Sequence, residues 1–248
     1  AAADNSVTVG TPAVFESATV VMGVGMDTIC FDPDTNQHII TYNDAGNSNH
    51  GTAVVAAISG TNVTFGTPVV FEAAGINNQG VAYDTNSNKF VITYRDVGDS
   101  SNGKAIVGTV SGTAISFGTA SAAYDPNNAG YFHQIYFDPS VNKLMAIWEN
   151  YISTPSINFG TAVMGTISGT DITWDTDNQY YFNRGTTSYM SSVYDPDSGF
   201  MVIAFQDGSD SNHGKCVLVD TSVDDNFEKW IGIAQTGVSD GQPVTVNI

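Results

Sequence analysis

Positive charge is what this sequence has least of: seven Lys and Arg stand against 25 Asp and Glu, a formal net charge of −18. A chain so poor in cations has no surface with which to neutralise a phosphate backbone, which excludes nucleic acid as a partner. Cysteine is equally scarce. Cys30 and Cys216 are the only two, too few for a disulfide framework, and both fall in expected strands as buried free thiols. No apolar run reaches the roughly 18 residues needed to span a membrane, so no membrane insertion is expected. No basic-plus-apolar leader is visible, and the initial Ala1 suits a processed end or a cut within a longer parent chain. Long helical periodicity is absent too, while Gly, at 25, is abundant.

What is present is a repeat. VGTPAVFES (9–17) returns as FGTPVVFEA (65–73), and TAVVAAISGT (52–61) returns at 104–113 and 161–170. An aromatic-Asp pair recurs as Phe31-Asp32, Tyr83-Asp84, Phe137-Asp138 and Tyr194-Asp195, with steps of 52, 54 and 57 residues. Twelve residues after each of these Asp comes Asp44, Asp96, Asn150 or Asp207, each two residues after Tyr42, Tyr94, Trp148 or Phe205. Each unit divides into four short strands, A to D; in the second they are Gln79–Tyr83, Phe90–Tyr94, Lys104–Val110 and Ala114–Ala120. The intervening segments are rich in Gly, Asn, Asp and Ser, residues that turn the chain, and the strand interiors are β-branched or aromatic.

Four antiparallel strands in 52 to 57 residues match a propeller blade in size and order. One such sheet cannot bury both of its faces alone; stacking with its neighbours around an axis does. The expectation is an all-β propeller of four blades over residues 1–224, with repeats at about 7–61, 62–113, 114–170 and 171–224. The fourth unit has no D strand of its own, whereas residues 7–15 read as a D strand without a blade. Pairing the two closes the ring by strand exchange between the chain ends. A five-bladed ring that uses the C-terminal segment is the alternative. Residues 225–248 do not match the repeat and read as further β structure, with Trp230, Ile231 and Ile233 covering the ring or leading to another module.

The A–B and C–D turns are short and uniform, as a scaffold requires. The D–A connections, 16–27, 72–79, 125–133 and 183–190, differ from unit to unit, and the third B–C loop, within 150–160, is three residues longer than the others. A working surface belongs on that variable face. Tyr131, His133, Tyr151, Arg184 and Tyr189 are the candidate ligand-binding residues there, able to stack on or hydrogen-bond a sugar. The remaining B–C loops, 44–51, 96–103 and 207–214, carry alternating oxygen side chains that can hold Ca²⁺, but a capped hairpin selects the same residues. No catalytic residue is assigned. Arg95 and Arg184 are too few for a sialidase clamp, and the repeated Asp look like turn formers rather than the two carboxyls across one bond that glycoside hydrolysis needs. His38, His50, His133 and His213 lack metal-ligand spacing, and no nucleophile elbow, P-loop or dinucleotide fingerprint occurs. The expected class is therefore a non-enzymatic one.

The stretch VAYDTNSNKFVITYRDVGDSSNGKAIVGTVSGTAISFGT (81–119), with FGTPVVFEA and GTAVVAAISGT, resembles repeats of tail-fibre-like and structural proteins of marine bacteriophages, cyanophages especially. The resemblance covers residues 7 to about 243. It implies a virion component, a tail fibre or appendage module that contacts host cell-surface glycan or other virion proteins, with a homo-oligomer within a fibre left open. A secreted marine lectin or polysaccharide-processing enzyme is the alternative. The resemblance brings no catalytic residues with it.

Overall fold

Each aromatic-Asp pair ends a strand and folds the turn that follows. Asp32 accepts hydrogen bonds from the backbone N–H of Asp34 and Thr35 and from the Thr35 hydroxyl at 2.6 Å; Asp84 does the same with Asn86 and Ser87. Asp138 accepts from Ser140, and Asp195 from Asp197 and Ser198. Four residues after each Asp the backbone turns left-handed, at Asn36, Asn88, Asn142 and Gly199, residue types that tolerate positive φ. These carboxylates are turn formers, as their recurrence in the sequence indicates.

The computed structural model describes residues 8–23, 27–126, 130–131, 133–153 and 156–222. Its strands are antiparallel, and no α-helix occurs among the described residues. A short strand, β1 (Val20–Val21), precedes the first unit, β2 (Ile29–Asp32), β3 (Gln37–Asp44), β4 (His50–Ser59) and β5 (Asn62–Phe65). The second comprises β6 (Val69–Asp84), β7 (Lys89–Asp96), β8 (Asn102–Ser111) and β9 (Ala114–Phe117). The third has β10 (Gln134–Asp138), β11 (Lys143–Ile152), β12 (Ile157–Ser168), β13 (Asp171–Trp174) and β14 (Tyr180–Asn183). The fourth has β15 (Thr187–Asp195), β16 (Phe200–Asp207) and β17 (His213–Asp220).

Within each unit the four strands A to D pair in chain order, as that reading requires where a D strand exists, and β14 pairs back onto β12, but two expectations change. The segment 72–79, expected as a loop, lies inside the 16-residue β6. Its first half pairs with β4 (Val69 opposite Ala53) and its second half with β7 (Asp84 opposite Lys89). A register slip between Asn77 and Gly80, with Asn78 at φ 54°, lets one strand serve two units. The segment expected to close the ring also differs: residues 8–15 form no strand, and the sheets are not joined into a closed ring. The segment lies instead on the first unit, with the Phe15 ring against Tyr42 and Phe65. Residues 225–248, with Trp230, Ile231 and Ile233, lie outside the described residues.

The two middle B strands, β7 and β11, are apolar at their centres because both of their faces are covered. On β7, Phe90, Ile92 and Tyr94 join Ile39, Ala53 and Val55 of the first unit, while Val91 joins Leu144, Ala146 and Trp148 of the third. Met145 and Ile147, on the opposite face of β11, meet Met201, Ile203 and Phe205 of the fourth. Each fully buried side chain of this size contributes about 1.5–3 kcal/mol, so these inter-unit cores hold the sheets face to face. An aromatic contact repeats at each boundary: Phe71 with Tyr94 at 5.3 Å, Tyr124 with Trp148 at 5.2 Å and Phe182 with Phe205 at 5.4 Å. Cys30 and Cys216 are free, on β2 and β17, but half-buried rather than buried. Burial, aided by Asp32, pushes the Cys30 thiol above its ordinary range.

The inner strands β2, β6, β10 and β15 line one cavity of about 540 Å³, to which they contribute Ile29, Val81, Ile135 and Val193. Hydrogen bonds cross it between units distant in sequence. The Tyr136 hydroxyl stands 3.0 Å from the Asp27 carboxylate and accepts the Ser192 N–H at 3.0 Å.

Candidate functional site

The end of each B strand places one side chain between its aromatic residue and its acid or amide: Asn43, Arg95, Glu149 or Gln206. In three units this residue reaches the chain entering the next. Asn43 Nδ2 donates to the Ile76 carbonyl at 2.6 Å, and the Arg95 guanidinium lies 5.4 Å from the Tyr131 ring centroid. Glu149 Oε1 accepts from Ser188 Oγ at 2.8 Å, and its Oε2 accepts from Asn158 Nδ2 at 3.1 Å. The Glu149 backbone N–H donates to the Tyr131 carbonyl at 3.0 Å. Glu149 is buried, and desolvation raises its carboxyl above the ordinary value; hydrogen bonds from Ser188, the Tyr131 backbone and Asn158 offset part of that rise.

Three of the expected surface residues belong to the segments that meet at Glu149. The Tyr131 backbone hydrogen-bonds the carboxylate, while its ring lies against Arg95. Tyr151 is two residues farther along β11, on the same strand face, and pairs in register with Asn158. Tyr189 adjoins Ser188 at a register slip in β15, where φ of 49° turns the chain outward. All three rings are exposed, by 54 %, 42 % and 65 % in that order. Tyr151 belongs to β11 rather than to a long loop, because β11 runs to Ile152 and β12 resumes at Ile157. Its hydroxyl lies 3.2 Å from Ser156 Oγ.

The other two candidates lie elsewhere. Arg184 is exposed, with its guanidinium 5.6 Å from the Tyr181 ring centroid; Tyr181 packs edge-on against Phe159. His133 is fully buried, so it is not a surface contact. Its Nε2 lies 3.0 Å from the Gly130 carbonyl, an acceptor only, so Nε2 carries the proton. Nδ1 then accepts from the Tyr124 hydroxyl at 2.6 Å. Burial lowers its pKa to about 4, with the Arg95 charge contributing, and the imidazole is neutral.

The sequence reading missed Glu149, although a signal was there. In the other three units the acid is the second residue after the B-strand aromatic; in the third it moves one place earlier, as Glu149-Asn150. That step moves it to the other strand face, toward Ser188.

The B–C loops are stitched by the same acids. Asp44 accepts the Asn47 N–H, Asp96 those of Gly98 and Asp99, and Asp207 that of Ser209. In two loops a lysine ammonium lies between two carboxylates: Lys104 at 3.0 Å from Asp96 and 2.6 Å from Asp99, Lys215 at 2.8 Å from Asp207 and 2.9 Å from Asp210. The first loop has Thr52 at the corresponding strand position, opposite Tyr42. Ca²⁺ in loops 96–103 or 207–214 therefore has to displace a bound ammonium.

Compared with known proteins, the chain matches no protein-family model and no curated protein.

Proposed function

We propose that this chain is a non-enzymatic binding module: a four-bladed β-propeller that holds a glycan on the face carrying Tyr131, Tyr151 and Tyr189. Convergence of the four inner strands on one cavity supports the ring. The single observation that carries the binding reading is three exposed tyrosines on the segments that meet at one buried, hydrogen-bonded carboxylate. Tyrosine offers a flat apolar face to a sugar ring and a hydroxyl to its oxygens. Glu149, Asn158 and Ser188 supply convergent polar groups at the centre, the combination that orients a ligand. The resemblance to marine-phage repeats favours a virion appendage, with host-surface glycan or another virion subunit as the partner. The test is an array of bacterial-envelope and algal glycans, followed by calorimetry on the best binder. Each of Tyr131→Ala, Tyr151→Ala and Tyr189→Ala should weaken binding about tenfold, the loss of roughly 1.4 kcal/mol. Undiminished binding by the triple variant would sink this placement.

A polysaccharide-processing enzyme is the second reading, favoured by one observation. A carboxyl raised by burial, as in Glu149, is what a general acid requires. Its sign is turnover of an algal or envelope polysaccharide that Glu149→Gln abolishes.

A further inference from the structure

At each boundary between consecutive units one aromatic ring sits between two partners. Phe71 lies against Tyr94 of the second unit and over Gly51 of the first, where a Cβ would collide with it. Tyr124 lies in the same way between Trp148 and Gly103, and Phe182 between Phe205 and Gly160. The glycine heads the C strand of one unit and the partner aromatic ends the B strand of the next. Phe15 has half of this arrangement. Its ring is 5.2 Å from that of Tyr42, and the Tyr42 hydroxyl donates to Glu16 as Tyr94 donates to Glu72. The glycine that would complete the set is Gly214, at the head of β17. A Cβ there would meet no heavy atom within 4 Å among the described residues.

Three further observations point to the same seat. A Cβ at Gly10 would strike the Thr61 carbonyl, as one at Gly66 would strike Thr113 and one at Gly118 Thr170, so residues 8–15 already follow the path of an outer strand past the next unit's hairpin. The edge of β17 has no partner strand among the described residues, whereas β4, β8 and β12 each have one. Finally, apolar side chains are uncovered on both segments: Val14 is 77 % exposed and Leu218, on β17, 40 %.

We infer that the edge of β17 is the docking site for residues 8–15 of the same chain, with Phe15 over Gly214 and Ala13 directly opposite Cys216. The register follows from the first unit, where Val69 pairs with Ala53 and Val70 with Thr52. Ala13 and Val14 correspond to Val69 and Val70, as Cys216 and Lys215 do to Ala53 and Thr52. This inference rests on the ring proposed above and is independent of the glycan reading. The own chain is the occupant because Tyr136 already joins Asp27, before the first inner strand, to Ser192 of the fourth.

The experiment uses the full chain with Cys30→Ser. Paired strand residues have Cα atoms about 4.5–5.5 Å apart, within disulfide range. Ala13→Cys, mildly oxidised, should link to Cys216 within one monomer and raise Tm; Val14→Cys, whose side chain points to the other strand face, should not. In a second variant, Gly214→Leu fills the slot and should lower Tm, whereas leucine at an open strand position would leave it unchanged or raise it. An unlinked Ala13→Cys variant with wild-type circular dichroism, a link formed only between two chains, or an undiminished Tm in Gly214→Leu each overturns the inference. Amide exchange then separates the causes. A protected outer edge of β17 without the Ala13 link means that another segment closes the ring, and an unprotected edge means that the ring itself fails.

Discussion

The Tyr124 hydroxyl donates a 2.6 Å hydrogen bond to His133 Nδ1, in a buried pocket between the second and third units. His133 thereby gains two satisfied ring nitrogens and loses access to a proton. Its folded pKa, about 4, lies below the ordinary value of 6.5. The unfolded chain therefore binds the extra proton first as pH falls. Stability should be constant above about pH 6.5, decline between there and about pH 4, and flatten below, losing about 3 kcal/mol from this group. Urea unfolding at a series of pH values checks it, and His133→Gln should flatten that part of the profile.

Glu149 carries the opposite sign. Its carboxyl is raised by burial, so the folded chain holds a proton that the unfolded chain releases, and stability falls as pH rises through the raised value. Glu149→Gln keeps the shape and removes the buried charge. At pH 7 the variant should equal or exceed the wild type in stability, and below the ordinary carboxyl range the difference should vanish. Parallel thermal melts at pH 7 and about pH 3, below the ordinary carboxyl range, measure it.

Lys104 and calcium compete for one position. Lys104→Met should cost about 1.5–3 kcal/mol, because the buried Asp96 loses a charge-assisted bond, and the loss should appear in urea unfolding. In the wild type, added Ca²⁺ should leave loop 96–103 unchanged; in the variant, with two carboxylates freed of their ammonium, it should raise Tm. Equal Ca²⁺ responses in both would show that the lysine does not govern the loop.

Gly80, on β6, marks a close approach to the start of β10. A Cβ there would lie 2.9 Å from the His133 carbonyl and 3.1 Å from Gln134 Cα, both backbone atoms. Gly80→Ala should therefore destabilise by about 1–3 kcal/mol, while Gly112→Ser, at an open hairpin position, acts through its left-handed backbone alone. The midpoint shift in denaturant measures both.

Much of this was legible in the residues themselves. The Asp32, Asp84, Asp138 and Asp195 turns, the alternation of Phe90, Val91, Ile92 and Thr93 between two neighbours, and the strand order within each unit depend on local hydrogen bonding and a two-residue period. Local chemistry repeats wherever the sequence does, so the repeat determined them. His133 and Glu149 could not be assigned this way. Both stand near Tyr131, yet one is sealed beneath Tyr124 and the other reaches Ser188, 39 residues away. Nothing in the spacing of a polar residue states which neighbour will cover it.

By itself, the sequence determined an all-β chain of four units with uniform turns, because turn chemistry and strand period act within a few residues. Only the tertiary structure decided that 72–79 is strand rather than loop, that Glu149 is buried and bonded to Ser188 and Asn158, and that residues 8–15 lie on the first unit. Those outcomes depend on packing between units, where burial and register arise from contacts that no single repeat contains.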